Sequence, residues 1–427
     1  MNFIRIKGFT TRHRYRQQSL ILLICSTFHL CAAPTEVREW KSSSGTSIKA
    51  AAVAVNQGKV VLRTADNREL RVPLEKFSKE DISFLSDHFK IAAPGEIPDA
   101  PDLTVEDGLS WPLGKVSGPI EAQAGSSYFV YLPKQLPKGR KHPLLMVLNP
   151  HHGNAGTLQR YMAGAERNGW ILITSVESAN ENDGKSVVPA VKHAVGNLPV
   201  DPARVYLGGF SGGSSRSFTL SKEVKAAGVL ACGMGACGAP LDRDLTIYAM
   251  AGTHCWNRDN TAASLTVQGS GSKQSFMRYF PGKHEWGSSE LMEDGITHLN
   301  EVFLSNHRKD YEQEAYENEA AILRFAAGLS KASTGRALMW TTFLMERSVD
   351  SRLVPALAKL HGELQGDATA QRYLAGMLAI NQLAVRKIGK DGVEGAKKDL
   401  EKLSVEYADT PWGAICGQLQ EAAERSR

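Results

Sequence analysis

The stretch Arg204-Val205-Tyr206-Leu207-Gly208-Gly209-Phe210-Ser211-Gly212-Gly213 restricts the fold more than any other in the chain. A short apolar, β-prone run at 205–207 feeds a Gly-x-Ser-x-Gly turn, and a helical pattern follows from 214 to about 225. Strand, tight turn and helix together separate a nucleophile elbow from a chance Gly/Ser loop. Such a turn strains the serine backbone, and a Cβ on the flanking glycines would clash with the neighbouring strand or helix. The helix N-terminus directs free N–H groups at any negative charge that forms beside the serine. Ser211 is therefore the candidate nucleophile.

The first residues read differently. Arg5, Lys7, Arg12, Arg14 and Arg16 precede an apolar run at 20–30, and Cys31-Ala32-Ala33 supplies small residues for cleavage. This is the layout of a secretory signal peptide over 1–33, too short in its apolar part to span a bilayer comfortably. It predicts export to the cell envelope, the periplasm or the medium, with no membrane span once the signal is removed. The whole chain has a formal charge of +5, and the leader carries five basic residues and no acidic one. The remainder is near neutral, with no basic footprint for nucleic acid. Cys232, Cys237, Cys255 and Cys416 remain; a bridge among the first three is open, as is a role as small buried hydrophobes.

Residues 36–90 carry hairpin signals in series: strands over 48–55 and 59–63, turns at Asn56-Gln57-Gly58 and Ala65-Asp66-Asn67-Arg68, and alternation over 69–74. Ser78-Lys79-Glu80-Asp81 predicts a helix start. Arg38-Glu39-Trp40, Gly58-Lys59-Val60-Val61-Leu62 and Val72-Pro73-Leu74-Glu75-Lys76-Phe77-Ser78 resemble SLA homology domain 1, a small SH3-like barrel. The resemblance implies a protein or peptide ligand. Residues 91–108 are a Pro-rich linker with little capacity for a core.

Over 109–308 apolar strands alternate with helices, which predicts a parallel sheet covered on both faces. The stretch from Asp201 to Gly213, Asn149-Pro150-His151-His152-Gly153-Asn154, and Phe280-Pro281-Gly282-Lys283-His284-Glu285-Trp286 resemble α/β-hydrolase esterases near the polyhydroxybutyrate-depolymerase and feruloyl-esterase group. A serine hydroxyl needs a base and an oxyanion hole. His284, presented by a strand and a Pro-Gly turn, is the candidate base. The oxyanion donors are the N–H of Gly212 and one from the loop at His152, Gly153 or Asn154.

The resemblance breaks at the triad acid. The family's arrangement places Asp after the strand ending at Gly252, where this chain has Cys255. Asp259 from the same loop, Asp242 or Asp244 after the preceding strand, or no acid at all are the open choices. Loss of a triad acid costs orders of magnitude in rate.

Residues 309–427 have helical spacing without a clear 34-residue period. They read as an interaction appendage or as a tail packed on the hydrolase. The expected fold is thus an α/β-hydrolase domain between a small β-barrel and a helical tail. The expected activity is hydrolysis of a carboxylic ester, carbohydrate-linked or aromatic by resemblance, without metal or organic cofactor. A silent binding scaffold and a serine peptidase are the rival readings.

Overall fold

Alternating apolar residues build the first layer. The structure, a computed structural model, describes residues 33–424 except 57–58, 90–94, 178, 181–183, 243 and 268–273. Apart from Ala33, the expected leader lies outside the described residues. Strands β1 (Arg38–Lys41), β2 (Ser47–Asn56), β3 (Lys59–Arg63) and β4 (Glu69–Pro73) form an antiparallel sheet in that order. The sheet curls until its ends meet: Ser42 bridges Phe77, and Ser78 N donates to Lys41 O at 2.7 Å. Trp40, Val60, Leu62 and Phe77 fill the interior with Leu85 of helix α1 (Lys79–Phe89). Asp81 of α1 is buried, but it accepts from Lys41 N at 2.7 Å and pairs with Arg38 at 2.8 Å. These partners replace the water the carboxylate loses.

The next segment is not an inert linker where it is described. Ile97 packs on the apolar cluster of the tail, Arg324 Nη1 donates to Pro98 O at 2.7 Å, and Val105 bridges Pro137.

Among the described residues, eight strands form the second sheet. They are β5 (Val116–Gln123), β6 (Ser126–Tyr131), β7 (His142–Leu148), β8 (Ile171–Ser175), β9 (Val200–Phe210), β10 (Gly228–Cys232), β11 (Thr246–Gly252) and β12 (Phe276–Phe280). Their order is β5-β6-β8-β7-β9-β10-β11-β12. β7 to β12 are parallel, as continuous apolar runs predict. The expectation of a wholly parallel sheet is corrected at one edge, where β6 runs antiparallel to β5 and β8. The turn at Ala124-Gly125 accounts for the β5–β6 pairing: so short a connection can join only antiparallel neighbours.

Helices α2 (Ala155–Gln159), α3 (Met162–Asn168), α4 (Val187–Asn197), α5 (Gly212–Leu220), α6 (Arg258–Val267) and α7 (Ser289–Asn306) connect and cover the strands. On one face Val187, Ala190, Val191 and Ala194 of α4 meet Tyr128, Leu144 and Ile171. On the other, Leu158, Tyr161, Met292 and Ile296 meet Leu145, Tyr206 and Tyr248. This strand order, with the serine turn after the fifth strand of the sheet, is that of the α/β-hydrolase fold.

The tail continues through α8 (Glu312–Leu329), α9 (Thr334–Met345), α10 (Val354–Gln365), α11 (Ala368–Leu383), α12 (Gly389–Gly395), α13 (Lys397–Glu406) and α14 (Pro411–Glu424). Met377, Ile380, Val393, Leu400 and Leu419 share one core with Val229, Ile247 and Ala249 of the sheet. The tail is thus a layer of the hydrolase core. It also closes the sheet edge, since Asn381 Oδ1 accepts from Met277 N of β12 at 2.8 Å. An open edge strand would otherwise present unpaired backbone groups. Asn381→Ala strands that buried donor and should lower stability by about 1–3 kcal/mol. A thermal melt checks this; an unchanged Tm would contradict it.

Candidate active site

The carboxyl ends of the parallel strands are where α/β sheets place ligands, and Ser211 and His284 meet there. Ser211 follows β9 with φ 52 and ψ −123, a strained conformation for a residue with a Cβ. Its N–H donates to Cys232 O at 2.9 Å, and its carbonyl accepts from Ser215 N at 3.0 Å. A Cβ on Gly209 or on Gly213 would run into the carbonyl oxygen of Leu148, at the end of β7. Both glycines of the turn are therefore set by close backbone packing.

His284 follows β12, and its Nε2 lies 2.8 Å from Ser211 Oγ. The ring is held between Phe210, at 4.7 Å between centroids, and Trp256, at 3.9 Å. Desolvation by burial lowers the imidazole pKa below its ordinary value. The loop carrying it is pinned: Thr253 N donates to Phe280 O and His254 N to Gly282 O, each at 2.9 Å. Cys232 adds a second tie, accepting from Gly287 N at 3.4 Å.

The other ring nitrogen faces Cys255. Its Sγ lies 3.1 Å from His284 Nδ1 and 3.7 Å from the carbonyl oxygen of Gly233. The thiol is fully buried, and that burial raises its pKa.

Asp259 does not reach the site, which corrects one expectation. It sits in the first turn of α6 and accepts from Val393 N of α12 at 3.3 Å. The tail has recruited this carboxylate as an anchor. Asp242 and Asp244 are also excluded as partners of His284. Both are exposed and precede β11, whereas the site lies at its far end. A strand of that length spans about 20 Å. Among the described residues, the side-chain partners of His284 are Ser211 and Cys255.

Gly212 opens α5 directly after the serine. Gly153 is buried against the Ser175 carbonyl with no room for a side chain, and His152 Nδ1 lies 3.2 Å from Val176 O. Asn154 caps α2 in a reciprocal pair with Thr157. The loop at 149–154 is joined to the next segment by Ala179 N to Asn149 O at 3.1 Å and Asn180 N to Pro150 O at 3.2 Å. The Asn180 side chain in turn lies against Gly212. Sequence reasoning missed Asn180, Gly233 and Trp256. The first two carry no local pattern. Trp256 carried a signal, as an aromatic directly after the residue in the acid position.

The four cysteines Cys232, Cys237, Cys255 and Cys416 are free thiols.

Residues 31–92 match the family described as SLA1 homology domain 1, the segment that forms the small barrel. No curated protein matches the chain. Among solved structures it is similar to the fluorophosphonate-binding serine hydrolase FphF of Staphylococcus aureus, at 12% identity and TM-score 0.35 over 41% of this chain and 92% of that one. It is similar to S-formylglutathione hydrolase FrmB of the same organism, at 15% identity and TM-score 0.35 over 45% and 100%. A truncated carbohydrate esterase from gut microbiota gives 15% identity and TM-score 0.35 over 44% and 97%. Scores of this size add nothing to the fold assignment, which rests on the strand order and the elbow.

With Asp259 occupied by the tail, Asp259→Asn and Asp242→Asn should each change turnover by no more than about twofold, the range of substitutions outside a site. Steady-state hydrolysis of an activated ester checks this. A loss of about a hundredfold in either variant would return that carboxylate to the triad.

Proposed function

We propose that the chain is a serine hydrolase of carboxylic esters. The reading rests on one observation: a strained serine whose Oγ lies 2.8 Å from the Nε2 of a histidine with a lowered pKa. A neutral imidazole is the form that can accept the serine proton. Ser211 attacks the acyl carbonyl, and His284 takes its proton and returns it to the departing alcohol. The N–H of Gly212 and a second N–H from the loop at His152 and Gly153 receive the oxyanion. Water then releases the acyl group by the same path in reverse.

The substrate reading is an ester with a planar ring or a sugar. Trp256 supports it, since this indole lies over His284 and is 72% exposed. Such a face offers apolar area and stacking beside the reacting bond. The leader and the barrel extend the reading to export and to a protein or peptide ligand of residues 36–90; the first rests on the residue layout of 1–33, the second on sequence resemblance.

The rival is a silent scaffold, favoured by Cys255 in the acid position. Hydrolysis of p-nitrophenyl acetate separates the two. Ser211→Ala and His284→Ala should each lower kcat by about 10⁴-fold or more. Trp256→Ala should raise KM for aryl esters more than it lowers kcat. A wild-type rate equal to that of Ser211→Ala would favour the scaffold.

A further inference from the structure

We propose that Cys255 completes the site as a neutral thiol: it accepts the Nδ1–H of His284, gives its own S–H to the Gly233 carbonyl, and so holds the imidazole tautomer that Ser211 requires. The proposal rests on the reading of Ser211 as the nucleophile. Cys255 is a positioning residue, because it acts through His284.

Ser211 can donate to Nε2 only when that nitrogen is unprotonated. The ring proton then sits on Nδ1 and needs an acceptor. Sγ at 3.1 Å is that acceptor, within the range of sulfur hydrogen bonds. A thiol has one proton, and the Gly233 oxygen at 3.7 Å is the group placed to take it. Gly233 has φ +67, and a Cβ there would press on the Phe210 ring at 2.8 Å and approach His284 Cε1 at 3.5 Å. A glycine is therefore needed both for the turn and for the room beside the imidazole.

The competing arrangement is a thiolate–imidazolium pair, which would protonate both ring nitrogens and silence the base. Burial opposes it on both sides, raising the thiol and lowering the imidazole. The groups around the ring leave this balance intact. Ser211 and Phe210 face it from the end of β9, Gly233 from the end of β10, and Cys255 and Trp256 from the loop after β11. Cys232 lies on the same strand as a thiol raised to about 12 by burial. On the ring's own loop, the Glu285 carboxylate accepts from Lys283 N at 3.0 Å. Arg258 and Asp259 act on the thiol with opposite signs.

Three groups beside Cys255 nonetheless favour an anion. The backbone N–H groups of Asn257 and Arg258 and the Arg258 charge all favour its ionised form, although burial outweighs them. An aspartate at this position would be held as a carboxylate. It would stabilise the imidazolium and raise the pKa of His284. With the native thiol, the proton taken from Ser211 stays on Nε2 until the alcohol leaves. Nδ1 keeps its proton, and Sγ keeps its own.

The test measures p-nitrophenyl acetate hydrolysis against pH for wild type, Cys255→Ala, Cys255→Ser, Cys255→Asp and Ser211→Ala, with proton NMR of the imidazole N–H in each. Cys255→Ala should lower kcat about tenfold or more with KM little changed, and Cys255→Ser should recover part of that loss. Cys255→Asp should move the acidic limb of kcat/KM up by about one pH unit or more. A low-field Nδ1–H resonance should be present in wild type and absent from Cys255→Ala. Wild-type kcat and pH profile in Cys255→Ala would overturn the proposal while Ser211→Ala is inactive, leaving the hydrolase reading in place. If Ser211→Ala equals wild type, the hydrolase reading falls. The resonance is read without substrate, so its absence from wild type overturns the thiol's role whatever the turnover.

Discussion

The site depends on the approach of two glycines to one carbonyl. Gly209 and Gly213 both lie against the oxygen of Leu148, closer than any side chain permits. That contact fixes the angle between β9 and α5, and with it the positive φ of Ser211. Strain of this kind costs about 1–3 kcal/mol and persists only where the surroundings over-determine it. Here the surroundings are the middle of the sheet, with β7 and β9 side by side and apolar layers on both faces. The same contact brings the loop that begins after Leu148 to the serine.

The electrostatics of the site are set by what surrounds it more than by formal charge. Carboxylates are present nearby but committed elsewhere: Asp259 to Val393 of the tail, and Glu285 to the Lys283 backbone. The imidazole is left with a buried thiol. A neutral acceptor can orient the ring, but it stabilises an imidazolium less than a carboxylate does. For the proposed hydrolase, the expected consequence is slower turnover with a base that remains available at lower pH. The helical tail belongs to the same arrangement. It shares the core under β10 and β11, and Gln418 of α14 accepts from Thr253 Oγ1 at 2.9 Å, two residues before Cys255.

Much of this was legible in the sequence because the signals were local. The elbow, the order of oxyanion loop, serine and histidine, and the hairpins of the small barrel each depend on residues close in the chain. The parallel strands were legible as apolar runs. β5 was not, because it is an edge strand with no fully buried residue and no continuous apolar run. The fate of Asp259 was illegible for a different reason: its partner is Val393, far away in sequence, and spacing rules carry no information on such a pairing. Cys255 could be read as a departure from a pattern. That it faces both His284 and Gly233 is visible only once the ends of β10, β11 and β12 are brought together.

The most direct test of the central claim, that Ser211 is an activated nucleophile, is covalent. The purified chain is treated with a fluorophosphonate and the adduct is mapped by mass spectrometry of its peptides. One adduct is expected, on Ser211, formed far more slowly in His284→Ala. No adduct at Ser211, or labelling at the same rate without His284, would contradict the claim.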